Sequence, residues 1–268
     1  MSARSFLELA TQPGAPPDGA FARILLDGAP AYCVFDGGEP RFFDRPPFLA
    51  GGREKRGSPR AAVCLLAPVE PSKIVAVGLN YRAHAAEFGD DVPAEPLLFL
   101  KPPSAVMEPG GTIVLPAQSR RVDYEAELAV VIGSRCRSVS AAEAAAFVAG
   151  YTCGNDVTAR DLQKTDGQWT RAKSFDTFCP LGPWVVPNAP GDEARVSARI
   201  DGRAVQTGRI GDMIASPLEL VAYASTVMTL EPGDVLMTGT PPGVGPLAAG
   251  QTVTVEVEGV GRLTNPVA

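Results

Sequence analysis

Residues 123 to 133 read Asp123-Tyr-Glu125-Ala-Glu127-Leu-Ala-Val-Val-Ile-Gly133, an apolar, partly β-branched run that is closed by glycine and led in by acids. Such a run marks a strand. Period two then puts Glu125 and Glu127 on one face, with Ala129 and Val131 following on the same side. On either side of it, SKIVAVGLN (72–80), LLFLK (97–101), VSARID (196–201), DVLMTG (234–239) and QTVTVEVEG (251–259) read as further strands. Helical signals are fewer. Ser140-Ala-Ala-Glu143 and Ser216-Pro-Leu-Glu219 are capping boxes, the second with proline at the first helical position. The first predicts a helix stopping at Gly150, the second a helix running to Pro232-Gly233. Strands outnumber helices and do not alternate with them, which predicts a β-rich α+β fold rather than a doubly wound sheet.

Upstream, residues 20–44 carry short β-branched and aromatic runs split by Asp27-Gly28 and by Asp36-Gly37-Gly38, both hairpin signals. Residues 45–62, rich in Pro, Gly and charge, read as a linker. The division expected is a small β-rich amino-terminal region with its linker over 1–70 and a catalytic domain over 71–268.

The 268-residue chain is 45% hydrophobic and 20% charged, with a net charge of −6. That is ordinary globular usage, with no basic field for nucleic acid or an anionic membrane surface. The amino terminus lacks the apolar core of a secretory signal and no stretch reaches the ~20 apolar residues of a membrane helix, so a cytoplasmic chain with a small-molecule partner is expected. Five cysteines without C-x-x-C spacing are read as reduced and structural. A single histidine, His84, rules out a multi-histidine zinc site.

Two carboxylates side by side on a strand, Glu125 and Glu127, either raise one pKa strongly or recruit a cation; a solvated strand start is the ordinary alternative. Asp156, in Gly154-Asn-Asp156-Val-Thr-Ala-Arg160, adds a third acid among small and apolar neighbours. Three carboxylates without imidazole or thiolate suit a hard ion such as magnesium, manganese or calcium. His84 and Glu87, three apart on a presumptive helix, form a pair able to take a proton at neutral pH, ahead of a Gly- and Pro-punctuated segment suited to a lid. Lys173 lies beside aromatic and small residues and is placed to stabilise an enolate. The loop Thr238-Gly239-Thr240-Pro-Pro-Gly243-Val-Gly245 offers backbone N–H groups to an anion, but lacks the Lys of a P-loop.

In order, GLNYRAHAAE, FLKPPSAV, DYEAELAVVIG, GNDVTARDLQ, WTRAKSFDTFCPLGP and TGTPPGVG resemble the motif series of the fumarylacetoacetate hydrolase superfamily over residues 71–268. The resemblance implies a β-rich catalytic fold, usually a homodimer, with Mg²⁺ or Mn²⁺ held by Glu125, Glu127 and Asp156. It makes His84 and Glu87 the lid dyad that activates water in the family's hydrolases, and Lys173 the lysine at the substrate's oxo or enolate oxygen. Arg160, Gln163 and Thr240, with Gly239 beside it, match substrate-facing positions. The family's longer enzymes carry a fourth carboxylate ligand seven residues before the lid histidine; here that position is Val77. The chain is therefore similar to the shorter branch, which contains acylpyruvate hydrolases, oxaloacetate decarboxylases and isomerases of homoprotocatechuate breakdown. That likeness implies a metal-dependent enzyme acting on a small 2-oxo acid or its enol. C–C hydrolysis of an acylpyruvate is the leading expectation and isomerisation or decarboxylation the alternative. A non-catalytic metal- or metabolite-binding protein is the rival from another class.

Overall fold

A computed structural model describes residues 4–5, 15–37, 39–56, 62–89 and 91–268. The amino-terminal strands β1 (Phe21–Leu26), β2 (Ala29–Asp36) and β3 (Glu39–Phe43) form an antiparallel meander. Its first turn is Asp27-Gly28, both at positive φ (50° and 79°), as a two-residue hairpin turn requires. Gly38 of the second turn lies outside the described residues, as do 1–3, 6–14 and Asp90. Of the stretch read as a linker, Glu54–Lys55 adds a short strand against β3, while 57–61 lie outside the description.

Beyond residue 70 the strands are β4 (Ile74–Gly78), β5 (Leu97–Lys101), β6 (Val122–Tyr124), β7 (Ala126–Ile132), β8 (Val148–Asn155) and β9 (Cys179–Val186). They are followed by β10 (Arg195–Ile200), β11 (Arg203–Arg209), β12 (Val235–Met237), β13 (Thr252–Val257) and β14 (Gly261–Pro266). The larger sheet runs β3-β2-β1-β9-β8-β7-β12-β4-β5, so the amino-terminal meander continues it through the pairing of Phe21 with Val185. Within that run only β12 and β4 are parallel neighbours. A second, antiparallel sheet has the order β11-β10-β13-β14.

Alternation on β7 shows how the layers pack. Ala126, Leu128, Val130 and Ile132 belong to the core shared with Val196, Ala198, Val253 and Val255 of the second sheet. Ala129 and Val131 face a separate cluster with Ile74, Leu181 and Met237 on the opposite side. Both faces of β7 are dry, which is why its sequence reads as a continuous apolar run.

Among the described residues five short helices accompany the sheets: α1 (Arg82–Phe88), α2 (Ala141–Ala144), α3 (Arg160–Asp166), α4 (Thr170–Lys173) and α5 (Pro217–Val227). Both capping boxes form. The helix expected to reach Gly150 is one turn of α2 plus a 3₁₀ turn at Ala145–Phe147, after which β8 begins. Gly150 is no helix cap. It sits in β8, where a Cβ would lie 2.2 Å from the Val186 carbonyl oxygen, so glycine is there for close backbone approach. Helix α5 also ends early, at Val227 rather than Pro232-Gly233. Ser225 and Thr226 turn their hydroxyls back onto the Ala222 and Tyr223 carbonyls (both 2.7 Å), and the β-branched Val227 leads into extended chain.

One buried acid fastens the parallel pair that carries the site. Asp234, fully buried, accepts Ser72 N–H (3.0 Å), Ser72 O–H (2.7 Å), Lys73 N–H (3.1 Å) and Glu231 N–H (2.8 Å), and pairs with the Lys73 ammonium. This locks the entry of β4 to the entry of β12. Asp234→Ala leaves several donors without an acceptor and is expected to cost about 3 kcal/mol in chemical denaturation. A loss below about 0.5 kcal/mol would show that water replaces the carboxylate.

Candidate metal centre and cavity

The ladder between residues 122–132 and 148–159 has a gap beside the acids. Val122 and Asp123 pair with Ala159 and Thr158, and Ala126 pairs with Asn155 in the same register, which sets Glu125 directly opposite Asp156. There the Asn155 side chain accepts the Glu125 N–H (3.0 Å) and Asp156 N–H donates to the Glu125 carbonyl (2.9 Å). A side-chain amide thus replaces a ladder bond, while the unchanged register keeps acids from both strands side by side. One carboxylate oxygen from each of Glu125, Glu127 and Asp156 lies within 4.8 Å of the others, and all three residues are buried.

Cations surround two of the three. Arg160 donates through Nε to Asp123 (2.9 Å) and through Nη1 to Gln163 (2.6 Å), while its Nη2 pairs with Glu125 Oε1. Lys173 Nζ bridges Glu125 Oε2 (2.9 Å) and Asp156 Oδ2 (2.6 Å), 5.0 Å from the centre of the Phe99 ring. Lys101 Nζ takes Asp156 Oδ1 and the Val157 carbonyl (3.4 Å). Glu127 has no ion pair among the described residues; its Oε2 accepts only the Gly239 N–H, at 2.7 Å.

These partners decide the protonation states. Burial raises the Glu125 pKa, but Lys173 and Arg160 more than offset it and hold the carboxyl well below its usual range. Burial, then Asp156 and Glu125, push Glu127 well above its usual value, only partly opposed by Lys173 and the Gly239 N–H. Burial lowers Lys173, yet Asp156 and Glu125 outweigh it and keep the ammonium charged. Three cations, Lys101, Arg160 and Lys173, thus meet the three acids, but all on Glu125 and Asp156, which leaves Glu127 without one of its own. A divalent cation bound at about 2.1 Å to each of three oxygens would set them about 3–4 Å apart, so this all-oxygen donor set fits such an ion.

Glu125 and Glu127 line a cavity of about 300 Å³ together with His84, Arg160, Gln163, Lys164, Trp169 and Thr240. His84 Nδ1 lies 3.3 Å from Glu87 Oε2, and the Gly243 N–H donates to both Glu87 oxygens (3.2 and 3.3 Å). With Nδ1–H directed at Glu87, Nε2 is the ring's basic nitrogen. Gly78 contributes by its smallness: a Cβ there would come within 2.6 Å of the Trp169 ring that walls the cavity.

The family description "Fumarylacetoacetate (FAA) hydrolase C-terminal" matches residues 73–268. The chain belongs to the fumarylacetoacetate hydrolase family. Among its relatives, Protein Rv2993c of Mycobacterium tuberculosis is 48% identical over 91% of this chain and 96% of its own length. The crystal structure of 5-carboxymethyl-2-hydroxymuconate delta-isomerase from Mycobacterium smegmatis superposes with a TM-score of 0.85 at 44% identity, covering 93% of this chain and 99% of that one. The human mitochondrial oxaloacetate tautomerase FAHD2A is 43% identical over 78% of this chain and 71% of its own length. The family is one of enzymes, with the β-rich architecture expected from the sequence. No helix of the described residues is long and apolar enough to cross a membrane.

The structure brings His84, Glu125, Glu127, Arg160, Gln163 and Thr240 to the one cavity; Lys173 and Asp156 meet there through Glu125. Two residues are engaged differently from the expectation. The Gly239 N–H, expected to face an anion, is given to Glu127. The Thr240 hydroxyl donates to the Ala126 carbonyl (2.8 Å) and accepts from Gln206 Nε2 (2.7 Å), so its proton is already committed. Lys101, Asp123 and Gln206 do not stand out in the sequence. For Lys101 a signal exists: it shares its strand parity with Phe99, whose ring meets Trp169 and Lys173. A lysine ending an apolar strand ordinarily reads as a solvated edge residue, which hides that parity.

Because the Glu127 pKa lies above its unfolded value, the protonated form is the one the fold favours. Its contribution is complete below the ordinary carboxylate range and is lost as pH rises through the raised value. In chelator, Glu127→Gln should therefore unfold at or above the temperature of the unsubstituted protein, with the gap widening from mildly acidic to neutral pH. A variant less stable than the parent at every pH would make Glu127 a structural residue.

Proposed function

We propose that the chain is a divalent-metal-dependent isomerase or tautomerase of a small 2-oxo acid, shifting a proton between a carbon next to the oxo group and the enol form. The observation that carries this reading is His84, paired with Glu87 and lining the same small cavity as Glu125 and Glu127, of which Glu127 has no cationic partner among the described residues. An ion held by Glu125, Glu127 and Asp156 would supply Lewis acidity toward the oxo and carboxylate oxygens of the substrate. His84 Nε2 takes the proton from carbon, Glu87 stabilises the imidazolium so formed, and the same nitrogen returns the proton at the other end of the shift. Lys173, held charged in its buried site, offers an N–H to oxygen as negative charge develops there.

Hydrolysis of a C–C bond would use the same dyad on water. The proton shift is preferred because relatives 43–44% identical over most of the chain are named a tautomerase and an isomerase. Lys164 bears on the substrate class. It lines the cavity, is exposed, and forms no ion pair among the described residues, so it suits the distal carboxylate of a diacid.

The test is to follow enol-to-keto conversion of oxaloacetate by ultraviolet absorbance with Mg²⁺ or Mn²⁺ present. His84→Ala should lower kcat by roughly 10²-fold or more with metal affinity nearly unchanged. Glu87→Gln should match it, and the double variant should be little worse than either single one. Cleavage of acylpyruvates without any acceleration of tautomerisation would overturn the proposal in favour of hydrolysis. Separately, Lys164→Gln should raise KM about tenfold for a diacid and leave a monoacid unchanged, the scale of one charge-assisted contact; equal effects on both would remove Lys164 from recognition.

A further inference from the structure

Each carboxylate of the triad has one oxygen held by a fixed donor. Glu125 Oε1 is held by Arg160 Nη2, Glu127 Oε2 by the Gly239 N–H at 2.7 Å, and Asp156 Oδ1 by Lys101 Nζ. The second oxygens behave differently. Asp156 Oδ2 and Glu125 Oε2 converge on the single ammonium of Lys173, at 2.6 and 2.9 Å. On Glu125 and Asp156 the oxygens not shared with Lys173, Oε1 and Oδ1, are thus the outer ones, and the inner oxygens, Oε2 and Oδ2, meet at its ammonium.

Lys101 is the clamp with no second task. Its side chain is 0% exposed, it does not line the cavity, and among the described residues its ammonium meets only Asp156 and the Val157 carbonyl. Its backbone is fixed by the pairing of Lys101 with Ile74 across β4 and β5. Burying a lysine whole is costly unless the charge is paired, and nothing in the reaction proposed above needs a second lysine behind Asp156.

We propose that Lys101 is a positioning residue that holds the outer oxygen of Asp156, makes that carboxylate a one-oxygen ligand, and thereby tunes the centre toward a small octahedral cation. This rests on the reading of the triad as a cation site. Chelation by both oxygens of one carboxylate is how sites reach the seven or eight ligands that Ca²⁺ accepts, whereas Mg²⁺ requires near-ideal octahedral geometry from single oxygens. Removing the clamp frees Asp156 to rotate and chelate, which favours the larger ion.

Removal of a positive charge would by itself raise the affinity for any divalent cation, so the diagnostic is the ratio of affinities rather than either alone. The experiment is calorimetric titration of the purified, chelator-stripped protein with Mg²⁺ and with Ca²⁺, for the parent, Lys101→Met and Lys101→Gln. Met removes both the charge and the hydrogen bond. Gln removes the charge but keeps a donor for Oδ1. The Met variant should lose about tenfold or more in its Mg²⁺-to-Ca²⁺ ratio, the scale of a lost partner behind a metal ligand. The Gln variant should keep the ratio near that of the parent while binding both ions more tightly, and it stands alone as the test if the Met variant does not fold. A Met ratio within about twofold of the parent, or a Gln variant whose ratio falls in full, would overturn the proposal and leave the site reading intact. A parent protein that takes up neither ion would sink the site reading and the proposal with it.

Discussion

Carboxylates crowded within 4.8 Å of one another and shut off from water repel more strongly than the fold can tolerate unless opposite charge is built in beside them. The chain answers with Lys173 and Lys101 on Asp156, Lys173 and Arg160 on Glu125, and a single backbone N–H on Glu127. Much of the surrounding structure serves to satisfy these groups. Arg160 must itself be held, and buried Asp123 does so while taking Arg121 on its other side. Gln206, reaching in from the second sheet, accepts the Ala126 N–H (3.0 Å) and gives both its protons to Thr240 and the Pro241 carbonyl. Glu127 is left as the one acid of the three with no cationic side chain beside it among the described residues.

The sheet supplies this arrangement through its register. Glu125 and Asp156 are direct cross-strand neighbours, and period two puts Glu127 on the same face as Glu125. The Asn155 amide takes over one backbone bond beside them. Small residues are required wherever neighbours press in: at Gly154 a Cβ would lie 2.6 Å from the end of Met237, and at Gly239, with φ at 92°, 2.7 Å from the Asn80 Cβ. Val77, seven residues before His84, is buried and lines the cavity as apolar wall.

These features set how far the sequence can be read. Isolated acids in apolar surroundings announce themselves, and so Glu125, Glu127, Asp156 and the His84–Glu87 spacing are legible. The strands β8, β9, β11 and β14 are not, for physical reasons. VAGYTCGN and CPLGPWVV are largely buried, so neither shows alternation, and their glycines serve close backbone approach while reading as breakers. RAVQTGR is mostly exposed, and its one buried side chain, Gln206, is polar because its partners lie on β7 and on the loop after β12. No local pattern encodes a bond made across 80 residues. Lys101 is hidden for a related reason: its partner Asp156 lies 55 residues away, and only the pairing of β5 onto β4 brings the two together.

The loop after β12 links the two halves of the site. Gly239 holds a triad carboxylate, Thr240 and Pro241 are tied to Gln206, and Gly243 binds Glu87, the partner of His84. Tyr124, next to Glu125, closes the circuit by donating to the Gly243 carbonyl at 3.0 Å. At Gly243 a Cβ would come within 3.0 Å of the Val205 carbonyl at a φ of 100°, so the loop has little room to shift. A displacement that moved Gly239 from Glu127 would therefore also disturb Glu87, and through it the orientation of His84. The distance between the His84–Glu87 pair and the carboxylates is thus set by one short backbone bracket rather than by the reach of flexible side chains, which is the condition under which side chains are held to a fixed geometry.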